Sequence, residues 1–92
     1  MVRHKGQRTD QQREAGHPHA VDIPIPGEGL GQNLNNIIAA ASVLPGGAET
    51  WGYATHDMKG NPQRWSRVGT KLPADADRIA AMFSHLGARR VR

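Results

Sequence analysis

Apolar and polar residues alternate between positions 20 and 26, and this is the first regular pattern in the chain. Val21, Ile23 and Ile25 fall on one side of the stretch. A period of two is typical of a strand with one buried face. The two prolines on the opposite side lack the N–H donor that a regular central strand needs. We therefore predict an edge strand, or an extended segment that lies on the core.

Two later stretches have the apolar spacing of amphipathic helices. From Leu30 onwards, apolar residues recur at i, i+4, i+7, i+8 and i+11, while Gln and Asn occupy the other face. The Pro-Gly-Gly sequence at 45–47 ends this helix. The second helix is predicted to begin at Asp75 or Asp77 and to end at Gly87.

Residues 49–57 and 63–72 are predicted to form two strands. The five residues between them, Met-Lys-Gly-Asn-Pro, have the length and composition of a hairpin loop. Pro73 ends the second strand. Residues 88–92 are predicted to form either one more short strand or a basic tail.

Together these elements predict an α+β fold, with two helices packed on one face of a small antiparallel sheet centred on the hairpin. If both outer strands form, the layout is the ferredoxin-like βαββαβ arrangement. The prolines of the first strand count against it, because that strand is central in that fold, and a helix–hairpin–helix core is the alternative. Residues 1–20 are predicted to be a disordered polar and basic arm, and residues 21–92 a single domain.

Composition narrows the class of protein. There is no cysteine, which excludes disulfides and thiolate metal sites and favours a cytoplasmic protein. No apolar run approaches the about 18 residues that span a bilayer, so no membrane partner is predicted. The spacing of His17 and His19 matches no structural zinc site, and we predict neither a metal nor another cofactor.

Charge is segregated along the chain. Residues 1–20 carry a net charge of +2, residues 21–58 carry −4 without any Lys or Arg, and residues 59–92 carry +6. A basic segment of this kind attracts polyanions. The predicted partner is therefore nucleic acid or a nucleoprotein complex, bound with an affinity that falls steeply as the salt concentration rises.

The predicted hairpin carries the aromatic rings of Trp51, Tyr53 and Trp65 together with several cations. If Ala54, Val68 and Leu72 pack under the helices, the rings face outward beside basic side chains, where bases stack for about 1–3 kcal/mol each. The alternative is that the rings pack in the core, because they and Phe83 are the only aromatic residues. The predicted binding residues are Trp51, Tyr53, Lys59, Arg64, Trp65, Arg67, Lys71, Arg89, Arg90 and Arg92.

Two other functions were weighed against nucleic-acid binding. His56, Asp57 and Tyr53 are the one candidate catalytic group, but no nucleophile or metal converges on them, and the protein is predicted not to be an enzyme. The chain resembles, in size and style only, the small inhibitors that phages and other mobile elements encode, such as anti-CRISPR proteins. Its partner would then be a host protein. A core of this size supplies roughly 3–5 kcal/mol of net stability, so a homodimer is also predicted.

Overall fold

The computed structural model describes residues 10–92. Within them the elements are, in chain order, helix α1 (Asp10–Ala15), strand β1 (His19–Ile25), helix α2 (Leu30–Ser42), strands β2 (Ala48–His56) and β3 (Pro62–Thr70), helix α3 (Pro73–Met82), a 3₁₀ turn (Ser84–Leu86) and strand β4 (Arg89–Arg90). None of these helices is long and apolar enough to cross a membrane.

The four strands form one sheet in the order β2-β3-β1-β4, and all neighbouring strands are antiparallel. The prediction of a small α+β fold, with both long helices against one face of the sheet, is confirmed. The more specific ferredoxin-like layout stays a prediction. Strand β4 has only two residues, and α1 adds a helix before β1.

The core lies between the sheet and the two long helices. The predicted inner side of β1, Val21, Ile23 and Ile25, is buried there together with Val68 of β3. Helix α2 contributes Ile37 and Ala41, and α3 contributes Ala76 and Ile79. Burying each large apolar side chain stabilises the fold by about 1.5–3 kcal/mol, so this layer holds the helices in place.

The prediction that β1 is an edge strand is wrong, because β1 lies between β3 and β4. The backbone of Ala20 faces β4: its N–H donates to the carbonyl of Arg92 at 3.2 Å, and its carbonyl accepts from Val91 at 2.9 Å. Alternate residues of a strand point the same way, so the nitrogen of Pro24 also faces this edge. Strand β4 has ended there, and the missing donor costs no ladder hydrogen bond.

The division into an arm (residues 1–20) and a single domain (residues 21–92) stays a prediction, but residues 10–20 contain regular structure. Residues 10–15 form α1, and His19 and Ala20 belong to β1. Composition alone misses this because charged side chains, rather than apolar ones, attach α1 to the sheet: Arg13 pairs with Glu49, and Glu14 pairs with Arg67. The rest of the predicted arm, residues 1–9, lies outside the described residues.

Helix α3 begins earlier than predicted. Leu72 is its N-cap and Pro73 its first residue, so neither Asp75 nor Asp77 caps it. Asp75 is buried instead, and its Oδ2 accepts a hydrogen bond of 2.9 Å from the backbone N–H of Gly46. This bond joins the first turn of α3 to the loop that follows α2.

Candidate ligand-binding face of the sheet

One face of the sheet is packed against α2 and α3, and within residues 10–92 the opposite face carries only the short helix α1. We call the second the α1 face. Since side chains alternate along each strand, the residues that alternate with the buried ones in β1 and β3 lie on it. The side chains that concern us there are Asp22, Trp51, Tyr53, Trp65, Arg67 and Arg89.

Two aromatic rings and two guanidinium groups form a row across this face. The rings of Tyr53 and Trp65, on paired positions of β2 and β3, are stacked with centroids 6.1 Å apart and planes 9° apart. The Cζ of Arg67 lies 5.2 Å from the centre of the Tyr53 ring, and the Cζ of Arg89 lies 5.2 Å from that of Trp65. Such cation–ring contacts each contribute about 0.5–1 kcal/mol at exposed sites. We call these four side chains the ring–arginine row.

Asp22, which is only 2% exposed, anchors one end of the row. Its two carboxylate oxygens accept hydrogen bonds from Nε and Nη2 of Arg67, at 2.6 and 2.8 Å. The hydroxyl of Tyr53 also donates to Asp22. A third guanidinium nitrogen of Arg67 donates to Glu14 at 2.8 Å. Arg67 therefore has its charge compensated by two carboxylates of the protein itself.

These contacts lower the pKa of Asp22 and raise those of Tyr53 and Arg67. Burial alone would raise the pKa of Asp22, but hydrogen bonds from Arg67 and Tyr53, with the charge of Arg67, bring it below the ordinary 3.8. Burial and the hydrogen bond to Asp22 raise the pKa of Tyr53 above 10.0. The hydrogen bond to Asp22 likewise raises the pKa of Arg67. At neutral pH the anchor is an ionised pair joined to a neutral phenol.

The other end of the row is open. Trp65 is half-buried, and its indole Nε1 donates to Thr55 Oγ1 at 2.9 Å. Arg89 is exposed, and no carboxylate of the described residues lies within salt-bridge distance of it. The charge of Arg89 helps to lower the pKa of Asp22 on the neighbouring strand, but its guanidinium forms no salt bridge within the described residues. Trp65 and Arg89 therefore present a ring and an exposed cation side by side.

Trp51 lies on the same face but is covered. It is 8% exposed, and the Cζ of Arg13 from α1 lies 5.9 Å from the centre of one of its rings. Arg13 also pairs with Glu49 at 3.1 Å. The rings were predicted either to face outward or to pack in the core, and they divide between the two: Trp51 is buried, while Tyr53 and Trp65 line the surface.

The predicted cations do not converge on one surface. Arg67 is compensated, and Arg90 pairs with Asp77 and contacts His19. Lys59 lies in the hairpin loop and Lys71 beyond the other end of β3, about 30 Å away along the strand. Arg64 is exposed on the helix side, where it lines a groove beside α2, and Arg92 reaches the backbone carbonyl of Glu14. Of the ten predicted binding residues, Tyr53, Trp65, Arg67 and Arg89 are brought together.

Sequence reasoning missed Asp22 and the residues of α1 as parts of this face. Asp22 stands opposite Arg67 and Arg89 only because β1 lies between β3 and β4. The sequence does contain a signal: Asp22 alternates with buried apolar residues in β1. An acidic residue in that position is stabilised by a cation on a neighbouring strand. The assignment of β1 to an edge concealed it.

The candidate catalytic residues of the hairpin are not brought together. The carboxylate of Asp57 accepts hydrogen bonds of 2.9 Å from the backbone N–H groups of Lys59 and Asn61, and those from Asn61 lower its pKa. It therefore serves the turn. Tyr53 is bound to Asp22 on the other face from His56. Among the described residues, no group of three or more His, Cys, Asp or Glu side chains is placed to hold a metal ion.

Comparison with known proteins adds no family to this picture. No protein-family model matches the chain, and neither the curated proteins nor the solved structures contain one with significant similarity to it.

Proposed function

We propose that the protein binds single-stranded nucleic acid, free or within a nucleoprotein complex, through the ring–arginine row. The observation that supports the proposal is the open end of the row, where half-buried Trp65 lies beside exposed Arg89 on a sheet face without a long helix. Unpaired bases stack on such rings, and a neighbouring guanidinium binds the phosphate that follows.

The Arg67 end of the row, which Asp22 compensates, helps to position the rings at the Trp65–Arg89 end. Asp22 fixes Arg67 and the hydroxyl of Tyr53, and Tyr53 in turn is stacked on Trp65. A ring held in one orientation before binding loses little conformational entropy when a base stacks on it. The proposed role of Asp22 and Arg67 is therefore to position Tyr53 and Trp65 rather than to bind phosphate.

The same arrangement changes the salt dependence expected from composition. For single strands, log K falls by about 0.7 per log unit of salt for each phosphate that a cation neutralises. Arg67 is compensated, and Lys59, Lys71 and Arg64 lie elsewhere. We therefore propose a shallow slope of one or two phosphate contacts, instead of the steep one predicted from the net charge.

The test compares two arginine substitutions in a Trp51→Phe background, where Trp65 is the sole tryptophan. Arg89→Gln removes the cation beside the ring, and Arg78→Gln removes an equal charge from an exposed position on α3. Titration with a short single-stranded oligonucleotide should quench Trp65. Arg89→Gln should weaken binding about 5- to 10-fold, or roughly 1–1.4 kcal/mol, and reduce the salt slope by about 0.7, whereas Arg78→Gln should have little effect.

Equal losses in the two variants would mean diffuse attraction to the whole molecule and would contradict a site at the row. Absence of quenching at low salt would contradict nucleic-acid binding altogether. The alternative prediction, an inhibitor that binds a host protein, would then become the leading proposal.

A further inference from the structure

An apolar groove runs between helix α2 and strand β2 on the helix side of the sheet, and Tyr53 and Trp65 also contribute to its lining. It consists of two adjoining cavities of about 340 and 240 Å³ that share Leu34 and Gly52. Leu30, Leu34 and Ile38 form one wall at intervals of four residues along α2. The residues of β2 that form the bottom of the groove, Gly52 and Ala54, are small and therefore leave it open.

Strand β2 borders this groove and is an edge of the sheet. It pairs with β3 one residue to one from Ala48 to His56, so no bulge interrupts it. Its nine residues include no Lys and no Pro. Edge strands are normally protected from pairing by such features, because their outer N–H and C=O groups are free to bind another strand. In the described part of the chain, β2 has none of these protections.

The surface formed by α2 and β2 is almost free of charge. Helix α2 has no charged residue in 13, and β2 has only Glu49. The chain as a whole carries 12 Lys and Arg and 8 Asp and Glu. Ile38 nevertheless lies in the middle of α2 with 53% of its surface exposed. Arg64 of β3 is the one cation among the described residues that line the groove, so the groove offers little to a polyanion or to a strongly charged protein surface.

A second copy of the chain is complementary to this surface. It supplies the same free backbone groups, the same apolar wall and no opposing charge of like sign, because Glu49 lies near one end of β2. We propose that two copies associate through antiparallel pairing of their β2 strands, with Leu34 and Ile38 of the two α2 helices in contact. The result is a two-fold dimer with one continuous eight-stranded sheet.

The two-fold axis of such a pair is perpendicular to the sheet, since antiparallel neighbours related in this way keep the same faces on the same side. Both α1 faces then lie on one side of the dimer. Dimer formation does not require nucleic acid, and the substitutions that test it leave Tyr53, Trp65 and Arg89 in place, so the two proposals can fail separately.

The first test is the mass in solution, measured by light scattering over a range of concentrations, with two matched substitutions. Ala54→Lys puts a charge on the exposed edge strand, and Ala81→Lys puts the same charge on the exposed surface of α3. We expect a mass twice the 10.0 kDa of one chain for the unmodified protein and for Ala81→Lys. Ala54→Lys is expected to give a single-chain mass at the same concentrations, with an unchanged circular dichroism spectrum.

Hydrogen exchange gives a second measurement that needs no variant. Alternate N–H groups of β2 bind β3, and those between them point to the free edge. In the proposed dimer the outward groups become protected as the concentration rises. A monomer at every concentration would overturn the proposal. A dimer whose outward β2 amides exchange freely, or one that persists in Ala54→Lys, would also overturn it, since another surface would then join the copies.

Discussion

Asp22 is the residue on which the order of the α1 face depends. It is nearly inaccessible, yet it accepts hydrogen bonds from Arg67 and Tyr53, whose side chains come from two other strands. A buried carboxylate is tolerated only when its oxygens are paired in this way. Removing one partner of such a pair costs more than the pair contributes, because the other charge is left without compensation.

Replacing Asp22 by Asn should therefore lower the free energy of unfolding by about 1–3 kcal/mol at neutral pH. The pH profile tests the cause. In the folded protein the pKa of Asp22 lies below its ordinary 3.8, so its contribution is present above that pH and is lost as the pH falls through the lowered value. Urea unfolding across the acidic range should show a smaller loss in Asp22→Asn than in the unmodified protein.

The lowered pKa of Asp57 also makes stability depend on acid pH, but it contributes equally in Asp22→Asn and in the unmodified protein, so the difference between them reports on Asp22. Tyr53→Phe is the matched control: it keeps the Asp22–Arg67 pair but removes one hydrogen bond that lowers the pKa of Asp22, so it should keep a reduced acid-dependent loss. The raised pKa of Tyr53 gives a contribution that is present below pH 10.0 and lost as the pH rises through the raised value. Tyr53→Phe should lack that alkaline loss. Identical acid profiles for Asp22→Asn and the unmodified protein would contradict the proposed role of Asp22.

At the scale of elements, α1 shows how a helix of six residues is held on a sheet. Helices this short are not stable by themselves in water. Arg13 and Glu14 pair with Glu49 and Arg67, and buried His17 packs against Gly69 of β3 directly after the helix. The absence of a side chain at Gly69 is what allows this close approach.

Gly69→Ala should therefore detach the α1 segment from the sheet. A Cβ at this position would lie 2.8 Å from Cβ of His17 and 3.1 Å from Cη2 of Trp51, so both groups would have to move. Overpacking of this kind costs about 1–3 kcal/mol of unfolding free energy. In a Trp65→Phe background, the emission of Trp51 should shift to the red as the ring becomes hydrated.

The matched control is Gly52→Ala, also within a strand. Its new Cβ would meet nothing closer than a backbone oxygen at 3.6 Å, which is ordinary contact. It should leave the emission of Trp51 unchanged. A Gly69→Ala protein with unaltered emission and stability would mean that α1 is not packed on the sheet through His17.

At the scale of the whole molecule, the sequence predicts those features that depend on neighbours close in the chain. The helix that begins at Leu30 and the hairpin around Gly60 each carry their own period or turn residues, and both are present. The position of β1 depends on strands that lie about 40 and 70 residues further on. No local pattern contains that information, so the prolines suggested an edge.

The charge that the candidate face presents also depends on residues distant in the chain. The basic segment after residue 58 is real, but Arg67 is compensated by Asp22 and Glu14, which come from the first quarter of the chain. Whether a cation is available for a partner depends on strand register, and register is decided by the fold. Net charge by segment therefore overstates the basic surface of this protein.

The central position of β1 also has a consequence for synthesis. Arg67 follows Asp22 by 45 residues, which at roughly 5–20 residues per second is a delay of about 2–9 s. During that interval Val21, Ile23 and Ile25 have been made without the strand that pairs with them. Nascent chains stalled before residue 62 should accordingly be cut rapidly by a protease, whereas completed chains resist it, and equal resistance would contradict this order of events. For a ribosome-bound chain, the most apolar strand is the one that must be kept from other proteins longest.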